Sequence, residues 1–168
     1  MQPEQAKFLM DFLLPQLISE QRITKRILSA VPPDKGDYKP DPKCMSALRL
    51  ATHIAGTEMW FWDAVIELAF REDDSPPPLK TCSDVARWYD ESFTQRLPRL
   101  EALSGEHLAN PVNYIGLRND PAIAYLSFGI RHSVHHRGQL SAYLRPMGAK
   151  VPAIYVESAD ESVTTVPI

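Results

Sequence analysis

Four long stretches of this sequence place apolar residues at intervals of three and four, and prolines separate the stretches. Because an α-helix has about 3.6 residues per turn, this spacing collects the apolar side chains on one side of a helix. The first stretch runs from about Pro3 to Ala30, and the second runs from about Lys43 to Phe70. Such helices are stable when they bury their apolar sides against each other, so the pattern predicts an all-α four-helix bundle.

The third predicted helix carries its apolar residues between positions 85 and 103. Thr81 or Ser83 can act as its N-cap, since a hydroxyl at that position accepts a hydrogen bond from a free backbone N–H group. Gly105 is expected to end this helix, because glycine is common just past helix C-termini.

Asp120 and Pro121 predict the start of the fourth helix, with Asp120 as its N-cap and Pro121 at the first helical position. The Pro-Met-Gly segment at residues 146–148 is expected to end this helix. Before it, residues 112–115 are expected to form a short extended piece, and no larger sheet is predicted. After it, residues 151–161 are expected to form an irregular tail with enough apolar side chains to pack onto the bundle.

The composition restricts the classes of function. The chain has 168 residues and a net charge of -3, and it has no basic run of the kind that binds nucleic acid. No apolar stretch reaches the length of a membrane span, and the N-terminus lacks the apolar core of a signal peptide. Cys44 and Cys82 are far apart in sequence and are expected to be reduced thiols. We therefore expect one domain over residues 1–168, located in the cytoplasm, with no nucleic-acid or membrane partner.

Three of the five histidines lie within five residues of each other, and they are His132, His135 and His136. On a helix, His132 and His136 are one turn apart and project toward the bundle interior, whereas His135 turns to the margin of that side. Two imidazoles at this spacing can bind one metal ion. The pair alone leaves metal binding open, since the same spacing also arises by chance.

His53 lies at the edge of the apolar side of the second helix, one turn before Thr57. By itself it is typical of a boundary histidine that is hydrogen-bonded to a neighbour. Together with His132 and His136 it would complete a set of three neutral imidazoles, which is a common set of zinc ligands with a position left for water or substrate. Nickel, iron and copper also bind imidazole, so the sequence does not select the metal.

No general base can be identified from the sequence. Glu58, His135 and Asp160 are candidates because they are titratable, although structural or surface roles are more typical of each of them. The sequence has no Gly-x-Ser-x-Gly motif, no nucleophilic cysteine with a base and no phosphate-binding loop. Any catalysis would therefore depend on the metal, which lowers the pKa of a bound water or thiol.

Several segments match a known pattern, and together they extend over nearly the whole chain. These segments are Tyr38–Ala55, His132–Leu140, Tyr143–Arg145 with Gly148, Val151–Tyr155 and Ser158–Glu161. The most specific of them is the block at 132–140, which has the pattern H-x-x-x-H-R-G-Q. In these segments the sequence resembles the DinB/YfiT-like family, whereas the first and third helices are not specific to it.

The resemblance implies a four-helix bundle, often a homodimer, in which three histidines hold a divalent metal ion such as zinc, nickel or iron. At the matching positions of this chain, the implied ligands are His53, His132 and His136. Relatives with known activity are transferases that use a small thiol, such as bacillithiol or mycothiol, or they are metal-dependent hydrolases. The implied partners are therefore a small-molecule substrate, a low-molecular-weight thiol and a second copy of the chain.

Three functions are compatible with these residues. The first is a metal-dependent enzyme that transfers a small thiol to an electrophile or hydrolyses a small substrate. The second is a non-enzymatic bundle that binds a metal or a small ligand in a stress response. The third is an interaction module in which the histidines only satisfy hydrogen bonds in the core.

Overall fold

Four long helices and a short hairpin dominate the computed structural model, which describes residues 1–71 and 76–162. In chain order the elements are α1 (Pro3–Ser29), a one-turn 3-10 helix (Pro33–Lys35), α2 (Ala47–Glu67), α3 (Cys82–Glu101), α4 (Gly105–Ala109), β1 (Pro111–Tyr114), β2 (Arg118–Pro121), α5 (Ala122–Leu144) and a second 3-10 helix (Arg145–Met147). Helix α2 packs against α3 and α5, and helix α1 packs against α3, α4 and α5. The predicted all-α fold is confirmed, and the extended piece predicted at 112–115 belongs to the single two-stranded sheet of the described residues.

No helix in the described part of the chain has the length and hydropathy needed to cross a membrane.

Helix α2 is shorter than the sequence predicted at both ends. It begins at Ala47 instead of near Lys43, because the Ser46 hydroxyl accepts a backbone N–H group and caps the helix at that point. It ends at Glu67 instead of near Phe70, because the next residue adopts a left-handed backbone with a φ of 56°. Local capping therefore overrides the apolar spacing that continues beyond both ends.

The predicted start of α3 is confirmed, but its predicted end is wrong. The Thr81 hydroxyl accepts the N–H group of Asp84 at 3.1 Å, and the Asp84 carboxylate accepts the N–H group of Thr81 at 3.1 Å. The helix ends at Glu101, and Gly105 begins the short helix α4. Helix α4 starts there because the Ser104 hydroxyl caps its first turn.

The predicted N-cap of α5 is also wrong. Asp120 belongs to β2 and pairs with Val112 of β1, so the hairpin extends to the point where the helix was expected to begin. Pro121 has an extended backbone, with a φ of -52° and a ψ of 141°, and is itself the N-cap residue. The N–H group of Ala122 donates to the Asn110 carbonyl at 2.8 Å, which ties the start of α5 to the hairpin.

The contact between α2 and α5 depends on a small residue. Gly129 on α5 faces Phe61 on α2, and a Cβ atom at this glycine would lie 3.3 Å from the Phe61 Cβ atom. That distance is shorter than ordinary packing between side chains, so a larger residue would push the two helices apart. The close approach brings the following turn of α5, which carries His132, next to α2.

The tail at residues 151–161 is irregular and packs onto the bundle, as the sequence predicted. Arg26 of α1 donates to the Ala153 carbonyl at 2.9 Å and pairs with Glu161 at 2.6 Å. Arg137 of α5 donates to the Tyr155 hydroxyl at 2.6 Å. Charged and polar contacts to two helices therefore hold the tail.

A buried carboxyl group joins three helices. Glu58 of α2 is 3% exposed, and it accepts hydrogen bonds from the Tyr89 hydroxyl of α3 at 2.8 Å and the Ser133 hydroxyl of α5 at 2.5 Å. Burial raises the pKa of Glu58 from 4.5 to about 6, although both hydrogen bonds act in the opposite direction. The native state therefore holds this proton more tightly than the unfolded chain does.

We expect Glu58 to make folding less favourable as the pH rises from 4.5 to about 6. The unfolded chain releases this proton at a lower pH than the native state does. Between the two pKa values, folding therefore requires either uptake of a proton or burial of a charged carboxylate. The resulting loss in the free energy of unfolding is about 2 kcal/mol and persists at higher pH. Glu58→Gln should remove this loss, and urea unfolding of the wild type and the variant across the pH range measures the difference between them.

Glu91→Gln, at an exposed position on α3, is the matched control for this experiment. It should change the free energy of unfolding little at any pH in the range. A constant difference between Glu58→Gln and the wild type across the range would contradict the role given to this carboxyl.

The expected homodimer stays a prediction, and α1 offers the surface on which it can be tested. Phe8 and Phe12 lie one turn apart on α1 and are 70% and 62% exposed. Exposed aromatic pairs of this kind are typical of contact surfaces between proteins. We expect the double variant Phe8→Ser with Phe12→Ser to lower self-association in sedimentation equilibrium, while the exposed polar control Gln16→Ser leaves it unchanged. A wild-type protein that stays monomeric at high micromolar concentration would rule the homodimer out.

Candidate metal centre

Helices α2 and α5 bring three histidines together. His53 comes from the second turn of α2, and His132 and His136 come from successive turns of α5. One ring nitrogen of each residue lies within 4.8 Å of the other two. The Nε2 atom of His53 is 3.0 Å from that of His132 and 3.3 Å from that of His136. These three residues, called the histidine cluster below, are the three that the sequence selected.

The spacing of the three nitrogens suits a metal ion. Ligand atoms about 2.0 to 2.1 Å from a tetrahedral zinc ion lie about 3.3 Å from each other. The two distances from His53, 3.0 Å and 3.3 Å, are close to that value. In the described residues, the only hydrogen-bond partners of these Nε2 atoms are the other imidazoles of the cluster. Three imidazole nitrogens therefore converge where no other side chain pairs with them, and deprotonated at Nε2 they can share a cation.

The other ring nitrogen of His136 fixes which tautomer this residue adopts. Its Nδ1 atom is 2.9 Å from the Oε1 atom of Gln139, which can only accept a hydrogen bond. In neutral His136 the proton therefore sits on Nδ1, and the Nε2 lone pair faces the cluster. The Nδ1 atom of His53 lies 3.3 Å from the Thr57 hydroxyl, so this ring also has a partner outside the cluster.

The environment keeps two of the imidazoles in the neutral form that a metal ligand requires. The pKa of His132 is lowered to about 4, mainly by burial, with smaller contributions from the neighbouring His136 and His53. Burial also lowers the pKa of His53, with smaller contributions in the same direction from His136 and Arg49. At neutral pH both rings therefore carry a lone pair and no positive charge. The Nδ1 atom of His132 is buried without a hydrogen-bond partner in the described residues.

The two remaining histidines lie outside the cluster. His135 is exposed, as its position on the helix predicted, and its Nε2 atom accepts from the Gln139 amide at 3.2 Å. His107 of α4 has its Nε2 atom 2.9 Å from the Val65 carbonyl, so it connects α4 to the end of α2. His135 therefore lies outside the cluster, although it lies between His132 and His136 in sequence.

None of the three candidate general bases is bonded to the histidine cluster. Glu58 is buried among its own partners on α3 and α5. Asp160 accepts from Arg145 at 3.1 Å and from the N–H group of Val151 at 3.0 Å, which stabilises the tail. His135 shares Gln139 with His136 as a hydrogen-bond partner, and its ring packs edge-on against the His136 ring with centroids 4.8 Å apart, but it lies outside the cluster. Structural roles account for the contacts of the two carboxylates.

Sequence reasoning missed two roles within the H-x-x-x-H-R-G-Q block. Gln139 orients His136, and its position three residues later on the same side of a helix is a signal that could have identified it. Arg137 is 1% exposed and forms an ion pair with Glu20 of α1 at 2.6 Å, with a further hydrogen bond to the Thr24 hydroxyl. Nothing in the sequence pattern shows that this arginine points away from the histidines and into the bundle.

Known proteins are similar to this chain in sequence and in fold. The model of the DinB family matches residues 8–165. The protein YjoA from Bacillus subtilis (strain 168) is 24% identical over 143 residues, which are 81% of this chain and 89% of YjoA. The crystal structure of YjoA covers 83% of this chain and 95% of its own, with a TM-score of 0.71. A DinB-like protein from Bacillus cereus ATCC 10987, also 24% identical, covers 85% of this chain and 95% of its own, with a TM-score of 0.73.

The structural likenesses show the fold, whereas the family match shows the family. The structural likenesses, at 24% identity, show a shared helical fold and carry no function by themselves. The family match extends over nearly the whole sequence and includes both helices that carry the histidine cluster. On the strength of that match, the chain belongs to the DinB family.

Proposed function

We propose that this protein binds a divalent metal ion at the histidine cluster and is an enzyme that transfers a small thiol to an electrophile or hydrolyses a small substrate. The observation that supports the proposal is the convergence of three imidazoles, in which the Nε2 atom of His53 lies 3.0 Å from that of His132 and 3.3 Å from that of His136. Zinc, nickel and iron are all compatible with three imidazoles. A divalent ion supplies Lewis acidity, which lowers the pKa of a water or thiol near neutral pH.

The side chains of this chain contribute binding and orientation. His53 and His136 each have a hydrogen-bond partner at Nδ1, which turns their Nε2 atoms toward the cluster. Phe61 of α2 packs beside His132, with ring centroids 6.3 Å apart, and excludes water from that side. The three histidines are only half-buried, so part of each side chain is open to solvent.

A second function is favoured by one specific observation. No carboxylate of the described residues forms a hydrogen bond or an ion pair with the histidine cluster, so no side chain there is placed as a general base. A bundle that binds a metal ion without catalysis would need no such group. The alternative is therefore a non-enzymatic metal-binding protein that acts in a stress response.

Turnover separates the two proposals. The metal-loaded protein is incubated with thiols, including bacillithiol and mycothiol, and with a panel of electrophiles and esters. Product formation that disappears in His132→Ala supports the enzyme. Stoichiometric metal binding without turnover across the panel supports the non-enzymatic alternative.

We expect His53→Ala, His132→Ala and His136→Ala each to lose most of the metal affinity, because each removes one of three ligands. The matched control is His135→Ala, which removes an exposed histidine of the same helix and should keep the ion. Mass spectrometry of protein purified without a histidine tag measures the metal content, and circular dichroism verifies folding. Loss of metal in His135→Ala, together with retention in His132→Ala or His136→Ala, would contradict the assignment.

Gln139→Leu should weaken metal binding about 10- to 100-fold, the usual effect of removing a group that orients a ligand. Without the Oε1 acceptor, His136 can place its proton on Nε2 and lose the lone pair that faces the cluster. Gln139→Glu should keep most of the affinity, because a carboxylate still accepts from Nδ1. Gln16→Leu, at an exposed glutamine of α1, is the control. Equal affinities for Gln139→Leu and the wild type, measured by calorimetry, would show that this contact does not orient the ligand.

A further inference from the structure

An arginine side chain lies near the histidine cluster, although the whole chain has a net charge of -3. None of the ion pairs in the described residues includes a histidine. The charged side chain next to the cluster on α2 is Arg49, which precedes His53 by one turn and therefore lies on the same side of the helix. Arg49 is exposed, and its charge contributes to the lowered pKa of His53.

Three neutral imidazoles leave the charge of a bound ion uncompensated. A divalent cation held by His53, His132 and His136 keeps its charge of about +2, because none of these ligands is an anion. The charge of Arg49 adds to this field. In a half-buried site such a field favours anions over neutral molecules of the same shape.

An aromatic wall lies beside the cluster, and it consists of Trp60, Phe61 and Phe128. Phe128 precedes His132 by one turn on α5, and its ring centroid is 5.1 Å from that of Phe61. Trp60 extends the wall on α2, with its ring centroid 5.6 Å from that of Phe61. Trp60 and Phe128 are half-buried, so each presents part of an apolar surface to solvent. Such surfaces favour flat apolar groups.

Two further arginines border this wall, and one of them, Arg118, has its guanidinium carbon 6.0 Å from the centroid of the Phe128 ring and pairs with Asp120. The guanidinium carbon of Arg131 lies 5.9 Å from the centroid of the Phe128 ring, and no ion pair within residues 1–71 and 76–162 includes Arg131. A flat group placed against Phe128 would therefore have a cationic neighbour as well as an apolar one. Charge and aromatic surface thus occur together at one side of the cluster.

We propose that the histidine cluster and the aromatic wall together bind a small organic carboxylate with a flat apolar body. The carboxylate faces the metal position and the Arg49 side, and the apolar body lies against Phe128 and Trp60. This inference rests on the metal site proposed above and narrows its substrate class from small molecules in general to flat carboxylic acids.

Benzoate and benzamide test the proposal, because they have nearly the same shape and differ in charge. Isothermal titration of zinc-loaded protein should show benzoate binding at least about 10-fold more tightly than benzamide, which corresponds to about 1.4 kcal/mol. Arg49→Gln should weaken benzoate about 5-fold, through loss of a charge-assisted contact, and leave benzamide unchanged. The matched control is Arg22→Gln, which removes the same charge from an exposed position on α1 and should change neither affinity.

The aromatic wall is tested with acetate, which has the carboxylate and lacks the flat body. Phe128→Leu should weaken benzoate several-fold and leave acetate unchanged, because only benzoate contacts the ring. An equal loss for both anions would show that the substitution disturbs the metal position instead of the wall, and would overturn the assignment of Phe128.

The outcomes distinguish this inference from the metal site on which it rests. If the protein holds zinc and binds benzoate no more tightly than benzamide, the carboxylate proposal is wrong and the metal site stands. The same conclusion follows if Arg22→Gln weakens benzoate as much as Arg49→Gln does, since general charge then explains the binding. If the protein takes up no ion and binds no benzoate, both proposals are wrong.

Discussion

The close contact between α2 and α5 is the constraint on which the candidate site depends. His53 comes from one helix, and His132 and His136 come from the other, so the distance between the two helices sets the distances among the three rings. Gly129 allows this contact, because its missing side chain leaves room for Phe61 one turn away from His132. A bundle with a larger residue at that position would place the same histidines too far apart to share a ligand.

The block H-x-x-x-H-R-G-Q serves several sides of α5 at once. His132 and His136 face α2, Ser133 donates to the buried Glu58, and Arg137 pairs with Glu20 on α1. The two histidines share one side of α5, and Ser133 and Arg137, which are four residues apart, share another, so together these contacts fix the rotation of α5 about its axis. Removing one partner of a buried ion pair typically costs about 3 to 5 kcal/mol, which makes Arg137 a strong determinant of that rotation. The arginine of the block therefore orients the helix that carries the histidines.

Burial has opposite consequences for the two kinds of titratable group near the centre of the bundle. It raises the pKa of Glu58 toward neutrality, and it lowers the pKa of His132 well below neutrality. Both shifts favour the uncharged form of the group. The carboxyl is held inside by two hydroxyl donors, whereas the imidazoles meet one another and lack an anionic partner. That difference makes Glu58 part of the core and leaves the histidine cluster as the candidate site.

The sequence by itself determined the helical class, the four long helices and the three histidines, because helical periodicity fixes which side of a helix each residue occupies. It also separated His135 from His132 and His136, since that distinction depends on angles within one helix. The sequence identified the Thr81 cap of α3, whereas the Ser46 cap of α2 and the hairpin at Asp120 moved two helix starts away from the positions that the sequence predicted. Only the tertiary structure placed His53 opposite α5, because the distance between two helices is set by packing at Gly129, far from His53 in sequence. The contact of Gln139 with His136 follows from their spacing of three residues on α5. The ion pair with Glu20 on α1 instead determines that the Arg137 side chain points into the bundle.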